Sequence, residues 1–234
     1  NILFSDNPNT SFIFLFFLAF VMFASGYMGF SYLEKFSSVS IFRNVFLEKD
    51  NIDASMVSIQ KAIDKNPNDF YLRSAAEINL VKFNELAVKK PPLPAEEQAV
   101  LQSTIDKSVE YAKAATEINP TNYLNFQLLG YVNQMLGQFG VKDRFPEAIK
   151  AYEKSSSLNP KNPGIKVALS RVAFLDGRIK EAEVYARESI ALKEDYVDGW
   201  AALSQIQNGS GKKSEALNSA QKALSYVQAD MSIF

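Results

Sequence analysis

The stretch EINPTNYLNFQLLGYVNQMLG, residues 117–137, carries the pattern that decides the fold. Asn119 and Pro120 end one apolar segment, because the residue before a proline disfavours the α-helical region of the backbone. The segment that follows mixes large apolar residues with the small residues Gly130 and Gly137. Small residues let two helices approach closely while large ones fill the space beside them, so the stretch predicts a helix that packs tightly against a neighbour.

The asparagine–proline motif that ends this segment recurs along the chain. It reads IDKNPNDFY, TEINPTNYL and SSLNPKNPG, with a version that lacks proline, ALKEDYVDG. Pro67, Pro120 and Pro160, followed by Glu194 and Gln228, lie 53, 40, 34 and 34 residues apart. The base period is therefore 34 residues, with about 19 extra in the first interval and about 6 in the second. A 34-residue period with a proline near its end is typical of helix-turn-helix solenoids.

At these residues the chain resembles the tetratricopeptide repeat (TPR) family, from about residue 36 to residue 228. Three repeat positions show the pattern. Leucine recurs at position 7 (Leu129, Leu169 and Leu203) and glycine at position 15 (Gly137, Gly177 and Gly211). Alanine recurs at position 20 (Ala148, Ala182 and Ala216). The resemblance implies an all-α fold, a TPR helix-turn-helix solenoid preceded by one long hydrophobic helix. We expect an N-terminal lead and hydrophobic helix over residues 1–35 and a solenoid over 36–234, with about five helix pairs at 36–67, 68–120, 121–160, 161–194 and 195–234.

The lead contains an apolar segment, FIFLFFLAFVMF, from Phe12 to Phe23. No residue from 7 to 33 is charged. As a helix, residues 12–33 would be about 33 Å long, enough to cross a hydrocarbon core of about 30 Å. The segment therefore predicts either a transmembrane helix in membrane lipid or a helix that packs against copies of itself. The residues assigned to this membrane or assembly helix are Phe12, Phe16, Phe17, Phe20, Phe23, Gly26 and Gly29.

The hydrophobic helix running into DNIDASMVSIQKAIDKNPNDFYLRSAAEINL is similar to the C-terminal part of bacterial O-antigen-ligase-like membrane proteins. The resemblance implies a location at a bacterial membrane, with the repeats outside the cytoplasm. The alternative location is the extracellular surface. The charges alone favour the opposite orientation, because Lys35, Arg43 and Lys49 follow the segment and positive residues accumulate on the cytoplasmic side. The resemblance carries over no catalytic residue, because that family's chemistry belongs to a multi-helix membrane region.

The composition argues against several classes of function. The net charge is −1, from 25 basic and 26 acidic residues, which gives no basic stripe for a nucleic-acid backbone. The chain has no cysteine and no histidine, so thiolate chemistry and the commonest general base and metal ligand are missing. We therefore predict no catalytic residue, no cofactor, no metal site and no nucleic-acid partner, that is, a protein that is not an enzyme.

Repeat arrays of this family usually bind peptides on a concave face built from the first helix of each pair. The matching positions here include Gln127, Tyr131, Gln134, Arg171, Phe174 and Gln205, which predict a mixed polar and aromatic groove. The lysine and asparagine set with which the family clamps a C-terminal carboxylate is missing. The first hypothesis is thus a membrane-anchored TPR scaffold that mediates protein–protein interaction outside the membrane.

The second hypothesis is a self-assembling structural subunit of an extracellular filament. Terminal repeats normally need a polar cap, yet only ADMSIF follows Gln228. A disordered or frayed tail is the ordinary explanation. In this second hypothesis the end instead docks onto another copy, and head-to-tail docking that does not close produces a fibre. The hydrophobic helices would then form the filament core, with TPR units stacked outside it.

Overall fold

The structure, a computed structural model, describes residues 8–48, 51–89 and 94–231. These ranges contain ten α-helices and no β-strand. The helices are α1 (Pro8–Leu47), α2 (Ile52–Lys65), α3 (Asp69–Ala87), α4 (Ala95–Ile118), α5 (Tyr123–Gln138), α6 (Arg144–Leu158), α7 (Pro163–Leu175), α8 (Ile179–Leu192), α9 (Val197–Gly209) and α10 (Lys213–Met231). The fold is thus the all-α TPR solenoid that the repeats predict, with one long hydrophobic helix in front of it.

The chain divides into two compact units, and the first, up to Pro67, contains α1 and α2. Helix α1 is 40 residues long and continues without a break past residue 35, where the sequence suggested that the first repeat begins. No glycine or proline lies between residues 30 and 48 to end the helix. The hydroxyl of Ser38 donates to the carbonyl of Lys35 at 2.7 Å, a local bond that a serine inside a helix can form without interrupting it.

The end of α1 forms a hairpin with α2. Asn51 caps α2 by accepting a hydrogen bond from the backbone N–H of Ala54 at 3.0 Å. The hydroxyl of Ser58 donates to the carboxylate of Glu48 at 2.7 Å, and Phe42 and Ile59 are buried. Tertiary packing in this unit is therefore concentrated in the last third of α1, whereas the large apolar side chains from Phe12 to Phe36 are exposed.

The second unit, from Asn68 onward, contains four helix pairs: α3 with α4, α5 with α6, α7 with α8, and α9 with α10. Each helix packs mainly on its partner, and the first helices of successive pairs also contact one another. Stacking of such pairs is what buries a continuous core in a solenoid, because a single pair cannot cover its own apolar face. The first helices therefore lie side by side, and they form the surface described below.

The asparagine–proline motif both ends one helix and starts the next. The N–H of Asn119 bonds to the carbonyl of Ala115 at 3.1 Å and closes α4, and the side chain of Asn122 then accepts from the N–H of Leu124 at 3.1 Å to start α5. The other proline-containing junctions repeat this arrangement with a second asparagine as the N-terminal cap, Asn68 for α3 and Asn162 for α7. A single short motif thus fixes the tight turn between successive pairs.

Two of the repeat glycines, Gly130 and Gly137, mark close helix–helix contacts, as the sequence predicts, whereas Gly177 and Gly211 have open space around them and a left-handed backbone. A methyl group added at Gly130 would lie 2.7 Å from the ring of Tyr152, which is buried. One added at Gly137 would lie 2.7 Å from the ring of Phe145. Since 2.7 Å is well inside van der Waals contact, both positions require the absence of a side chain.

The extra residues of the first two intervals pack against each other. Helices α3 and α4, which belong to the longer interval, are 19 and 24 residues long. The insert of the next repeat, residues 138–145, contains Phe139, whose ring meets the ring of Phe83 edge-on at 4.9 Å between centroids. Edge-to-face contacts at this distance are favourable, so the lengthened repeat and the insert stabilise one another.

Candidate functional site

Two adjoining cavities lie on the surface formed by the first helices of the second unit. The larger, with a volume of about 600 Å³, is lined by α3, α5, α6, α7 and the start of α9, and we call it the polar cavity. The smaller, about 260 Å³, lies between α5, α7 and α9, and we call it the Phe174 pocket. Gln134 and Arg171 line both, so the two cavities form one continuous groove.

The structure brings the six residues predicted for a groove together in this place. The polar cavity is lined by Gln127, Tyr131, Gln134 and Arg171. The Phe174 pocket is lined by Gln134, Arg171, Phe174 and Gln205, so Gln134 and Arg171 belong to both. Whether this groove binds a ligand stays a prediction, but the sequence positions chosen from the repeat register do meet in space.

The polar cavity combines both signs of charge with three tyrosines. Arg171 lies 3.9 Å from a carboxylate oxygen of Asp198, a loose pairing that leaves most of the guanidinium available. Desolvation raises the pKa of Glu77, and the charge of Arg73 opposes that rise without cancelling it. A ligand that fills this cavity must therefore place polar or acidic groups near the arginines and polar or basic groups near the carboxylates.

One wall of the cavity is held by a partly buried polar network around the buried side chain of Asn125. Asp69 accepts hydrogen bonds from the side chains of Asn122 at 2.8 Å and Asn125 at 3.2 Å, and it pairs with Arg73 at 3.1 Å. Burial raises the pKa of Asp69, but the bonds from the two asparagines and the charge of Arg73 outweigh it, so the net shift is downward. The network fixes Arg73 across the junction between α3 and α5, and the position of that cationic group is therefore built into the fold.

Tyr152 forms the floor of the polar cavity. Its hydroxyl donates to the side-chain oxygen of Gln134 at 3.1 Å, and burial raises the pKa of the phenol. Because Tyr152 lies on α6 and Gln134 on α5, the bond joins the two helices of one pair. Gln134, which lines both cavities, is thus held in a defined orientation.

The Phe174 pocket is mainly apolar, with Phe174, Leu175, Ala202 and Ile206 in its walls. Ser170 also lines it, and its buried hydroxyl has no hydrogen-bond partner among the described residues. An unsatisfied buried hydroxyl costs about 1–3 kcal/mol. The apolar walls of this pocket can therefore accept an apolar side chain.

Sequence reasoning missed several residues of the polar cavity. Leu124, Gly164 and Asp198 share repeat position 2, so the register could have identified them. Arg73 and Glu77 belong to the lengthened repeat. Its residues could not be assigned to the 34-residue repeat positions, so the sequence did not predict which of them lie on the concave face. Leu128 and Ala168 share repeat position 6, so the register could have identified them as well. Tyr152 and Tyr196 reach the cavity from a second helix and from a junction between repeats, and no sequence signal marks them.

The predicted membrane or assembly residues all lie in α1, in the first unit. The stretch Phe12–Val45 is long and apolar enough to cross a membrane, judged by length and composition. Phe16 is 69% exposed and Phe20 is 63% exposed. Gly26 and Gly29 have open space around them.

Comparison with solved structures finds TPR proteins with the same fold. MamA superposes with a TM-score of 0.59 at 17% identity, over 79% of this chain and 93% of MamA. TTC0263, a thermophilic TPR protein of Thermus thermophilus, gives 0.57 at 18% identity, over 83% and 94% of the two chains. YrrB, described as a TPR protein with an unusual peptide-binding site, gives 0.54 at 12% identity, over 81% and 86%. No protein-family model and no curated protein matches the sequence.

Proposed function

We propose that this chain is a non-enzymatic, membrane-anchored TPR scaffold that mediates protein–protein interaction outside the membrane. The observation that carries the proposal is the continuous groove formed by the polar cavity and the Phe174 pocket. The two cavities differ in chemistry and share a boundary at Arg171, which suits a segment of a partner protein with a polar part and an adjacent large apolar side chain. The peptide-binding site of YrrB, which has the same fold, supports a peptide as the ligand.

The anchor is the exposed apolar part of α1. Large apolar side chains left in water are unfavourable by roughly 25 cal/mol per Å² of apolar surface, so a helix with this many of them requires lipid or protein around it. Tyr32 and Lys35 lie at the end of the apolar stretch, with the Lys35 ammonium 5.9 Å from the Tyr32 ring centre, and tyrosine and lysine are favoured at membrane interfaces. The similarity to O-antigen-ligase-like proteins favours repeats outside the cytoplasm.

Substitution in the groove tests the scaffold function. Peptides selected from a random library on the full chain are expected to bind at least about tenfold more weakly to Arg171→Ala and Phe174→Ala, because the two changes remove the boundary charge and the apolar wall. The matched control is Lys222→Ala, an exposed cationic position on α10 outside both cavities. Binding is measured by fluorescence anisotropy, and selected peptides that bind both groove variants as tightly as the parent would contradict the proposal.

A second candidate function is the self-assembling filament subunit, and exposed apolar residues on α10 favour it. Leu217 is 60% exposed and Leu224 is 56% exposed. A spacing of seven residues places both on one side of the helix, since seven residues make about two turns. Stacking of this side against another copy would bury it, while the phenylalanines of α1 would pack together in the filament core.

Conservative substitutions in α1 distinguish a helix that inserts into lipid from a helix that packs against other copies of the chain. Phe16→Leu and Phe20→Leu are expected to leave membrane insertion unchanged, because leucine is about as favourable as phenylalanine in a transmembrane helix. Packing between copies would be weakened by the same changes, because the shape of the interface is altered. Membrane flotation and sedimentation velocity measure the two properties. Loss of large assemblies in these variants would favour the filament, and assemblies that persist in both variants would argue against packing between the phenylalanines.

A further inference from the structure

A third cavity lies in the second unit, away from the groove, between α4, α5 and α6. Its volume is about 280 Å³, and it shares no lining residue with the polar cavity or the Phe174 pocket. We call it the basic cavity. Phe126, Leu129 and Ala151 give it an apolar floor. Its charged lining residues are Lys113, Arg144, Lys150, Lys154 and Glu147.

Four cations thus meet one carboxylate in a protein whose net charge is −1. Glu147 bonds to Lys150 at 2.8 Å. The hydrogen bond from Lys150 is the main cause of the lowered pKa of Glu147, and the charges of Lys113 and Arg144 add to it, so both cations lie close to this carboxylate. In the parts of the chain that the structure describes, neither of these two nor Lys154 forms an ion pair within 4.0 Å. The lining of the cavity therefore contains three more cationic side chains than carboxylates.

The position of Arg144 depends on two features of the insert. Asp143, the residue before it, has a φ of +60° and is the one non-glycine residue in the described ranges with a left-handed backbone. Such a conformation is uncommon outside glycine, although aspartate tolerates it better than most residues. The guanidinium of Arg144 then donates to the side-chain oxygen of Asn133, which is buried, at 3.3 Å. One of its N–H groups is used in this way, and the others stay available to a ligand.

The apolar floor also contributes to recognition. The ammonium of Lys154 lies 5.9 Å from the ring centre of Phe126, which holds a cation above the floor rather than away from it. A ligand in this cavity would meet positive charge at the rim and an aromatic and aliphatic surface beneath. A free inorganic anion would use only the rim, whereas a side chain attached to an anionic group would use both.

We propose that the basic cavity binds an acidic peptide segment in which an aspartate or glutamate lies next to a large apolar side chain. The carboxylate pairs with Arg144 and Lys154 at the rim, and the apolar side chain covers Phe126 and Leu129. A volume of about 280 Å³ suits a contact of one or two residues. This is a second protein-binding site on the scaffold, independent of the groove, and the insert in the third repeat supplies its arginine.

The test uses the full chain and two short probes of equal size, acetyl-Asp-Phe-Glu-amide and its neutral counterpart acetyl-Asn-Phe-Gln-amide. The acidic probe is expected to shift the amide resonances of residues around Phe126 and Arg144 in a nuclear magnetic resonance titration, and to bind at least about tenfold more tightly than the neutral one. Arg144→Gln and Lys154→Gln are each expected to weaken the acidic probe by about tenfold, whereas Lys222→Gln, an exposed cation elsewhere, leaves its affinity unchanged.

Circular dichroism of each variant shows whether its helices are intact, and Lys113→Gln replaces Arg144→Gln if that variant unfolds. Equal binding of the acidic and neutral probes, or unchanged affinity in all the rim variants, would overturn the proposal. Vesicles containing phosphatidylglycerol provide a further arm. Binding of these vesicles that depends on Arg144, without binding of the acidic probe, would identify a lipid surface as the ligand and would overturn the peptide assignment.

Discussion

Replacing Asn125 by alanine is expected to lower the free energy of unfolding by about 3 kcal/mol, because it removes four hydrogen bonds made by one buried side chain and leaves a cavity in its place. The Asn125 side chain is fully buried. Its amide donates to the carbonyls of Ala115 at 2.8 Å and Asn119 at 2.9 Å and to the carboxylate of Asp69 at 3.2 Å, and its oxygen accepts from Arg73. One side chain thus joins the end of α4, the start of α5 and the start of α3.

Chemical denaturation of the full chain, followed by circular dichroism, measures this loss. The control is Asn218→Ala, because Asn218 is an exposed asparagine in the middle of α10. That change removes no buried bond, and alanine has the higher helix propensity, so stability is expected to stay the same or to rise slightly. Equal midpoints for Asn125→Ala and the parent would contradict the role assigned to the network.

Replacing Gly130 by alanine is expected to cost about 2 kcal/mol, because the added methyl overpacks a tight contact. The methyl would lie 2.7 Å from the Tyr152 ring, and that ring is buried and bonded to Gln134, so it cannot move aside freely. In an exposed helix the same substitution is stabilising by roughly 1 kcal/mol, so the sign of the effect distinguishes the two situations.

A double-mutant cycle with Tyr152→Ala isolates the contact. Once the ring is removed, Gly130→Ala is expected to be neutral or stabilising, which gives a coupling energy of about 2–3 kcal/mol between the two positions. The measurement is again the denaturation midpoint of the parent, the two single variants and the double variant. A Gly130→Ala cost that is the same with and without the ring would show that steric contact with Tyr152 is not its origin.

Much of the fold follows from local sequence rules. The asparagine–proline junctions, the small residues at fixed repeat positions and the 34-residue period each follow from short-range chemistry, and the structure contains the helix pairs that they predict. The six groove residues also meet in space, because the repeat register determines which side of each first helix a residue occupies.

Other features depend on contacts between distant parts of the chain. Asp69 and Asn125 are 56 residues apart, and nothing near either residue indicates that they bond. Arg73 and Glu77 enter the groove from a repeat whose length departs from the period, so its register could not be extrapolated. The basic cavity depends on the insert that positions Arg144, and an insert has no counterpart in the other repeats from which its geometry could be inferred.

The continuity of α1 has a similar origin. Sequence pattern separates an apolar segment from a first repeat helix because the composition changes near Glu34. Composition alone does not end a helix, however, and no breaking residue lies at that point. The structure accordingly has one helix, Pro8–Leu47, that serves as the apolar segment at one end and packs on α2 at the other.

Negative-stain electron microscopy of the full chain, before and after addition of mild detergent, tests the membrane-anchored scaffold most directly. The anchor predicts discrete particles that stay dispersed only when detergent or lipid covers the exposed phenylalanines of α1. Long, regular filaments that persist in detergent would contradict it, because the same side chains would then be buried between copies of the protein rather than in lipid.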